Sequence, residues 1–144
     1  MDIQIKKLSP TAIIPTRAHS TDAGVDLYAD IASNVIIPPH DTVKIGTGLA
    51  IAPPPGYFGA VFARSGLSTN SGLRPANCVG VCDEAYRGEY IVALHNDSNE
   101  PRTITPCERI AQLVFLPYLD YNFIECDELD KTDRGADGFG SSGK

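Results

Sequence analysis

No segment of this chain sustains the 3.6-residue apolar period of a core-facing helix, and glycine or proline interrupts it about every ten residues. A chain punctuated this way must build its core from short paired strands. Runs rich in β-branched and aromatic residues fall at 2–8, 25–29, 35–37, 43–52, 57–63, 77–82, 90–95, 103–105, 110–117 and 122–126. Turn signals separate several of them, at 38–41 and 53–56, and residues 83–88 read as a hairpin turn. One brief helix fits residues 65–72, with Ser65 as N-cap and Gly72 as its stop. The sequence therefore predicts an all-β fold with a single short helix.

At 144 residues the chain is one domain with one core. Residues 1–127 carry the strand pattern; the acidic stretch 127–133 tethers a glycine-rich arm, so 128–144 is expected to be a flexible C-terminal arm. A net charge of −6, from twelve basic and eighteen acidic residues, argues against a broad nucleic-acid surface, which needs clustered Lys and Arg. The N-terminus has no signal peptide and no apolar run reaches membrane-spanning length, which predicts a cytoplasmic protein. Cys78, Cys82, Cys107 and Cys126 lack zinc spacing, and His19, His40 and His95 stand singly. The thiols are expected to be small core residues, reduced and metal-free.

Five segments carry groups suited to chemistry. Asp22 and Asp26 flank a glycine, where two carboxylates can meet a hydrated magnesium ion, or simply form a solvated loop. Arg64 ends a strand and Ser65-Gly66 begin the helix, an arrangement that suits an anion or merely caps a helix. Asp83 follows a strand with Tyr86 on the same turn; the pair can orient a water and pack on a sugar, or just shape the turn. Gln112 is the one polar residue able to face inward on a buried strand, where an amide usually satisfies backbone groups. Arg134, Phe139, Gly140 and Ser141 lie in the arm: a charged fork, a stacking ring, a bare backbone N–H and a hydroxyl. Such an arm either orders over a phosphorylated ligand or is a disordered terminus.

Taken in this order and at these separations, the five segments resemble the homotrimeric deoxyuridine triphosphatases (dUTPases), from about residue 18 to residue 143. Residues 22–28, 59–67, 80–88, 109–113 and 134–143 are similar to that family's successive motifs. The resemblance implies a jelly-roll-like β-barrel or sandwich, a homotrimer with shared sites, and hydrolysis of dUTP to dUMP and pyrophosphate with Mg2+. It further implies roles. Asp83 would hold the 3′-hydroxyl and orient the attacking water, and Tyr86 would pack on the deoxyribose. Asn77 and the backbone at Val81 and Cys82 would read uracil. Arg64, Ser65, Gly66 and Gln112 would contact the phosphates and Arg134 the γ-phosphate. Phe139 would cover the base, Gly140 and Ser141 would close over the triphosphate, and Asp26 would meet magnesium only through water. Departures from the family pattern are Ala60, Ala63, Cys82 in place of the usual isoleucine, and Asp137 in place of a frequent glycine. Two rival functions remain open at this point: a dCTP deaminase-like enzyme, and a dUTP-binding regulatory protein.

Overall fold

The computed structural model describes residues 2–138, which form β1 (Ile5–Lys7), β2 (Val25–Tyr28), β3 (Val35–Ile37), β4 (Thr42–Ile51), β5 (Tyr57–Phe62), α1 (Ser65–Ser71), β6 (Leu73–Pro75), β7 (Gly80–Cys82), β8 (Glu89–Asn96), β9 (Arg102–Ile104) and β10 (Arg109–Pro117). Every pairing is antiparallel, and the strands fall into three sheets, ordered β1-β4-β8-β6, β2-β10-β5-β7 and β3-β9. The expected all-β fold with one short helix is what forms.

Period-two burial builds the core. Along β8 the alternate residues Tyr90, Val92, Leu94 and Asn96 are buried while their neighbours face outward. Ile45 and Leu49 of the neighbouring strand β4, and Leu27, Ile110 and Leu113 of the other sheet, join them in one core. On β10 the alternation breaks: Ile110 and Ala111 are both buried, because a register shift against β2 between Arg109 and Ala111 rotates the strand. Two polar side chains are buried among the described residues, Thr47 and Asn96, and the wider hydrogen-bond network belongs to Asn96. Its amide nitrogen donates to the carbonyls of Ile37, Pro38 and Glu100, and its oxygen accepts from Ser98, so it ties β8 to the β3–β9 ribbon.

Several expectations need correction. Residues 122–126 form no strand; Phe123 is 91% and Ile124 87% exposed, and a strand needs a partner that this chain does not offer among its described residues. Helix α1 starts one residue earlier than expected: Arg64, not Ser65, occupies the N-cap, with extended backbone and no side-chain bond, and Ser65 is the first helical residue. Gly72 does stop it, in the left-handed region at φ 68. Strand β6 escaped the sequence reading because it is three residues long and ends in proline, which an edge strand tolerates. Cys78, Cys107 and Cys126 are exposed rather than core residues, the first two in turns with positive φ; Cys82 is half-buried, and all four are free thiols. No helix among the described residues is long and apolar enough to cross a membrane.

Candidate active site

Residues 83–88 do not close a paired hairpin. Strand β7 before them pairs with β5, and β8 after them pairs with β4 and β6, so the turn carries the chain from one sheet to the other. The two strands splay, and a cleft of about 240 Å3 opens between them. Strand β7 is an edge of its sheet, so its outer backbone groups face this cleft without a ladder partner.

The cleft gathers Asn77, Val81, Cys82, Asp83 and Tyr86. Asn77 precedes β7 in a tight loop where Cys78 adopts φ 60 and the Val79 N–H donates to the Asn77 carbonyl at 2.6 Å. Asp83 stands exposed where β7 ends, its carbonyl accepting from the Tyr86 N–H at 3.0 Å. The Tyr86 hydroxyl donates to the Glu89 carbonyl at 2.8 Å, which folds the ring back over Gly88. A Cβ at Gly88 would lie 2.5 Å from the Tyr86 hydroxyl oxygen, so glycine is required for that ring position. The ring presents a flat, half-exposed face beside the carboxylate, suited to a sugar.

Tyr90 is the cleft residue that sequence reasoning missed. It is 2% exposed, its ring lies 6.0 Å from that of Tyr86, and its hydroxyl has no hydrogen-bond partner among the described residues. The Cys82 thiol is a polar neighbour of that hydroxyl. Burial pushes the Cys82 thiol up, with Asp83 adding to the shift, and burial with the neighbouring thiol pushes the Tyr90 phenol up as well. Both groups stay protonated. The signal in the sequence was a tyrosine on an inward phase of β8, indistinguishable there from an ordinary aromatic core residue.

A second cluster forms where β10 lies between β2 and β5. Gln112 is level with Asp26 on one side and Phe62 on the other. Its amide donates to the Ala63 carbonyl at 2.8 Å, the backbone-satisfying role expected of a buried amide. Arg64 Nε donates to Asp26 Oδ1 at 2.7 Å, and Arg109 Nη1 to Asp26 Oδ2 at 3.3 Å. One carboxylate thus holds two guanidinium groups, leaving a positive surplus beside Ser65 and Gly66 in the first turn of α1. Space around Gly66 is open. Arg109 is the second residue missed, because its meeting with Asp26 depends on a strand pairing 83 positions apart.

The two clusters border different hollows: the cleft that holds Asp83 and the hollow beside Asp26 and Gln112 share no lining residue. Arg134 sits in an exposed turn, its Nε donating to the Asp137 carbonyl at 3.0 Å. Phe139, Gly140 and Ser141 lie outside the described residues.

A family model, dUTPase, matches residues 11–143. The chain belongs to the dUTPase family. It is 50% identical over 131 residues to the deoxyuridine 5′-triphosphate nucleotidohydrolase of Desulfitobacterium hafniense, covering 90% of this chain and 87% of that one. Among solved structures it is similar to the Staphylococcus bacteriophage 80alpha dUTPase with dUPNHPP, at a TM-score of 0.90 and 30% identity over 99% of each chain. The dUTPase of phage phi11 of S. aureus, described with a structural Mg(II) ion, matches at a TM-score of 0.82 and 25% identity over 91% of this chain and all of that one. In this dUTPase, no group of three or more His, Cys, Asp or Glu side chains among the described residues forms a metal cage.

Proposed function

We propose that this chain hydrolyses dUTP to dUMP and pyrophosphate, with water attacking the α-phosphorus in line. The observation that carries the reading is the cleft between β7 and β8, which joins an edge strand, an exposed carboxylate and a tyrosine face in one place. An unpaired strand edge offers fixed N–H and C=O groups to a base. Uracil matches such an edge where cytosine, with a donor in place of an acceptor, leaves buried groups mispaired. Asn77 and the backbone at Val81 and Cys82 take that part, Tyr86 packs on the deoxyribose, and Asp83 orients the water.

Phosphoryl chemistry asks little covalent work of a protein; positioning and charge neutralisation dominate. Arg64, Ser65, Gly66 and Gln112 supply donors to the phosphates, and the Asp26 carboxylate holds Arg64 in place. Magnesium, bound to the triphosphate, would spread the negative charge. Both Asp26 oxygens already accept from guanidinium groups, so a metal reaches this carboxylate only through water.

The separation of the Asp83 and Arg64 clusters supports a site assembled from more than one copy, and we read the protein as a homotrimer. Exposed Leu119, Tyr121, Phe123 and Ile124 give the C-terminal segment an apolar side to lay on a neighbour. Residues 128–144 then act as an arm, with Arg134 on the γ-phosphate, Phe139 over the base, and Gly140 and Ser141 closing the triphosphate from water.

The test is product analysis by anion exchange after incubation with dUTP, dCTP, dTTP and UTP separately, each with magnesium. Only dUTP is expected to turn over, giving the monophosphate and pyrophosphate; ammonia from dCTP would indicate the deaminase. Asp83→Asn should abolish turnover while a non-hydrolysable dUTP analogue still binds. Binding without turnover in the unaltered protein would instead favour a regulatory role.

A further inference from the structure

Asp83 stands between two hollows. One is the cleft already described; the other, of about 480 Å3, is walled by Phe58, Glu84, Tyr118, Leu119 and Tyr121, with Asp83 at its rim. Glu84 is the hub of that second wall. Its Oε2 accepts from the Tyr118 hydroxyl at 2.6 Å and from the Gly56 N–H at 2.7 Å. The Tyr118 N–H donates in turn to the Gly56 carbonyl at 3.1 Å. Three hydrogen bonds therefore close a ring through three places: the turn after β7, the turn before β5, and the end of β10.

Gly56 and Tyr118 are each fixed independently of Glu84. Gly56 sits at φ 78 in a turn closed by the Tyr57 N–H on the Pro54 carbonyl at 3.0 Å. Tyr118 follows directly on β10, whose pairing with β5 runs to Pro117 opposite Tyr57. Only the turn that carries Asp83 lacks a ladder of its own. A half-exposed carboxylate would be well solvated by water alone, so two short charge-assisted bonds to rigid donors do something solvation does not: they fix a position. The Tyr118 hydroxyl, then the Gly56 amide, hold the Glu84 carboxyl below its usual range, so the ring persists at neutral pH.

We propose that Glu84 is a positioning residue for Asp83, locking the turn through Tyr118 and Gly56 so that the neighbouring carboxylate meets the attacking water at the required angle. This rests on the reading that Asp83 orients that water. Asp83 is exposed, so its side-chain direction depends on its backbone, which is held by Cys82 in the ladder on one side, by its own bond to the Tyr86 N–H, and by Glu84 on the other side. Misplacement by a fraction of an ångström lowers the rate without weakening ground-state binding. Because Tyr118 is also where the C-terminal segment leaves β10, the same ring links that segment's point of departure to the reacting carboxylate.

The experiment measures kcat and KM for dUTP, by pyrophosphate release, alongside thermal unfolding of the full-length protein. The variants are Tyr118→Phe, Glu84→Ala, Glu84→Gln and the double variant Tyr118→Phe with Glu84→Ala. Tyr118→Phe and Glu84→Ala should each lower kcat roughly 3- to 10-fold with KM within about twofold of the parent. The double variant should be no worse than Glu84→Ala, because both remove one ring. Glu84→Gln, whose amide oxygen still accepts both bonds, should keep most of the rate. Losses that multiply in the double variant, that appear only in KM, or that track a fall in unfolding temperature would overturn the proposal. A parent protein inactive on dUTP would sink the assigned reaction itself; an active parent matched by every variant would sink only the role of Glu84.

Discussion

The Tyr90 hydroxyl is a buried polar atom without a partner among the described residues, a condition that costs free energy unless something offsets it. Tyr90→Phe removes the orphan and keeps the ring, so chemical denaturation should show unchanged stability or a gain of about 1 kcal/mol. A loss of 2 kcal/mol or more would mean the hydroxyl has a partner after all, the Cys82 thiol being the one at hand. Burial makes a second, independent prediction for that thiol. With its proton held more tightly than usual, Cys82 should be the slowest of the four cysteines to react with iodoacetamide at neutral pH, as peptide mass spectrometry would resolve. At this scale the sequence was informative about chemistry and silent about proximity. Asp83, Tyr86 and Asn77 were legible because they lie within ten positions of one another and share a cleft. Arg109 and the Glu84–Tyr118 bond were not, since each depends on residues far apart in the chain, and Tyr90 was not because an inward tyrosine reads as ordinary core.

Elements were legible where burial alternates and illegible where a strand depends on its partner. Strand β3 was read to the residue, and β4, β5, β8 and β10 to within a position or two, because apolar periodicity and flanking Pro and Gly mark them. The misreading of 83–88 as a closed hairpin came from judging two neighbouring strands adjacent in space, when each belongs to a different sheet. That error matters, since the gap between them is the candidate site. Asn96 shows how sheets are tied across such gaps. Asn96→Ala leaves three carbonyls and the Ser98 N–H without this partner inside the fold, and should lower stability by about 3 kcal/mol in denaturant unfolding. The exposed pair Arg74–Asp97, joined by two bonds at 2.6 and 3.0 Å, brings edge strand β6 to the end of β8. Arg74 holds the Asp97 carboxyl below its ordinary value of 3.8, so the pair's contribution is full above that pH and disappears as pH falls through the lowered value. Thermal unfolding of Asp97→Asn against the parent should show a gap at pH 6 that narrows as the pH falls below 3.8. A gap that persists in acid would assign the loss to shape, not charge.

For the whole molecule, the proposed site takes its base and sugar cleft from one copy of the chain and its phosphate donors from another. Sedimentation should therefore find a trimer, and deletion of residues 132–144 should leave it folded, with an unfolding midpoint within a few degrees of the parent and turnover at least tenfold lower. Loss of folding instead would make the arm part of the core. The account's central claim is that water reaches the α-phosphorus under the direction of Asp83, and single-turnover hydrolysis of dUTP in oxygen-18 water tests it most directly. The heavy oxygen should appear in dUMP, and Asp83→Asn should slow its incorporation at least a hundredfold. Label recovered in pyrophosphate, or an Asp83→Asn protein that incorporates it at the parent's rate, would contradict the account.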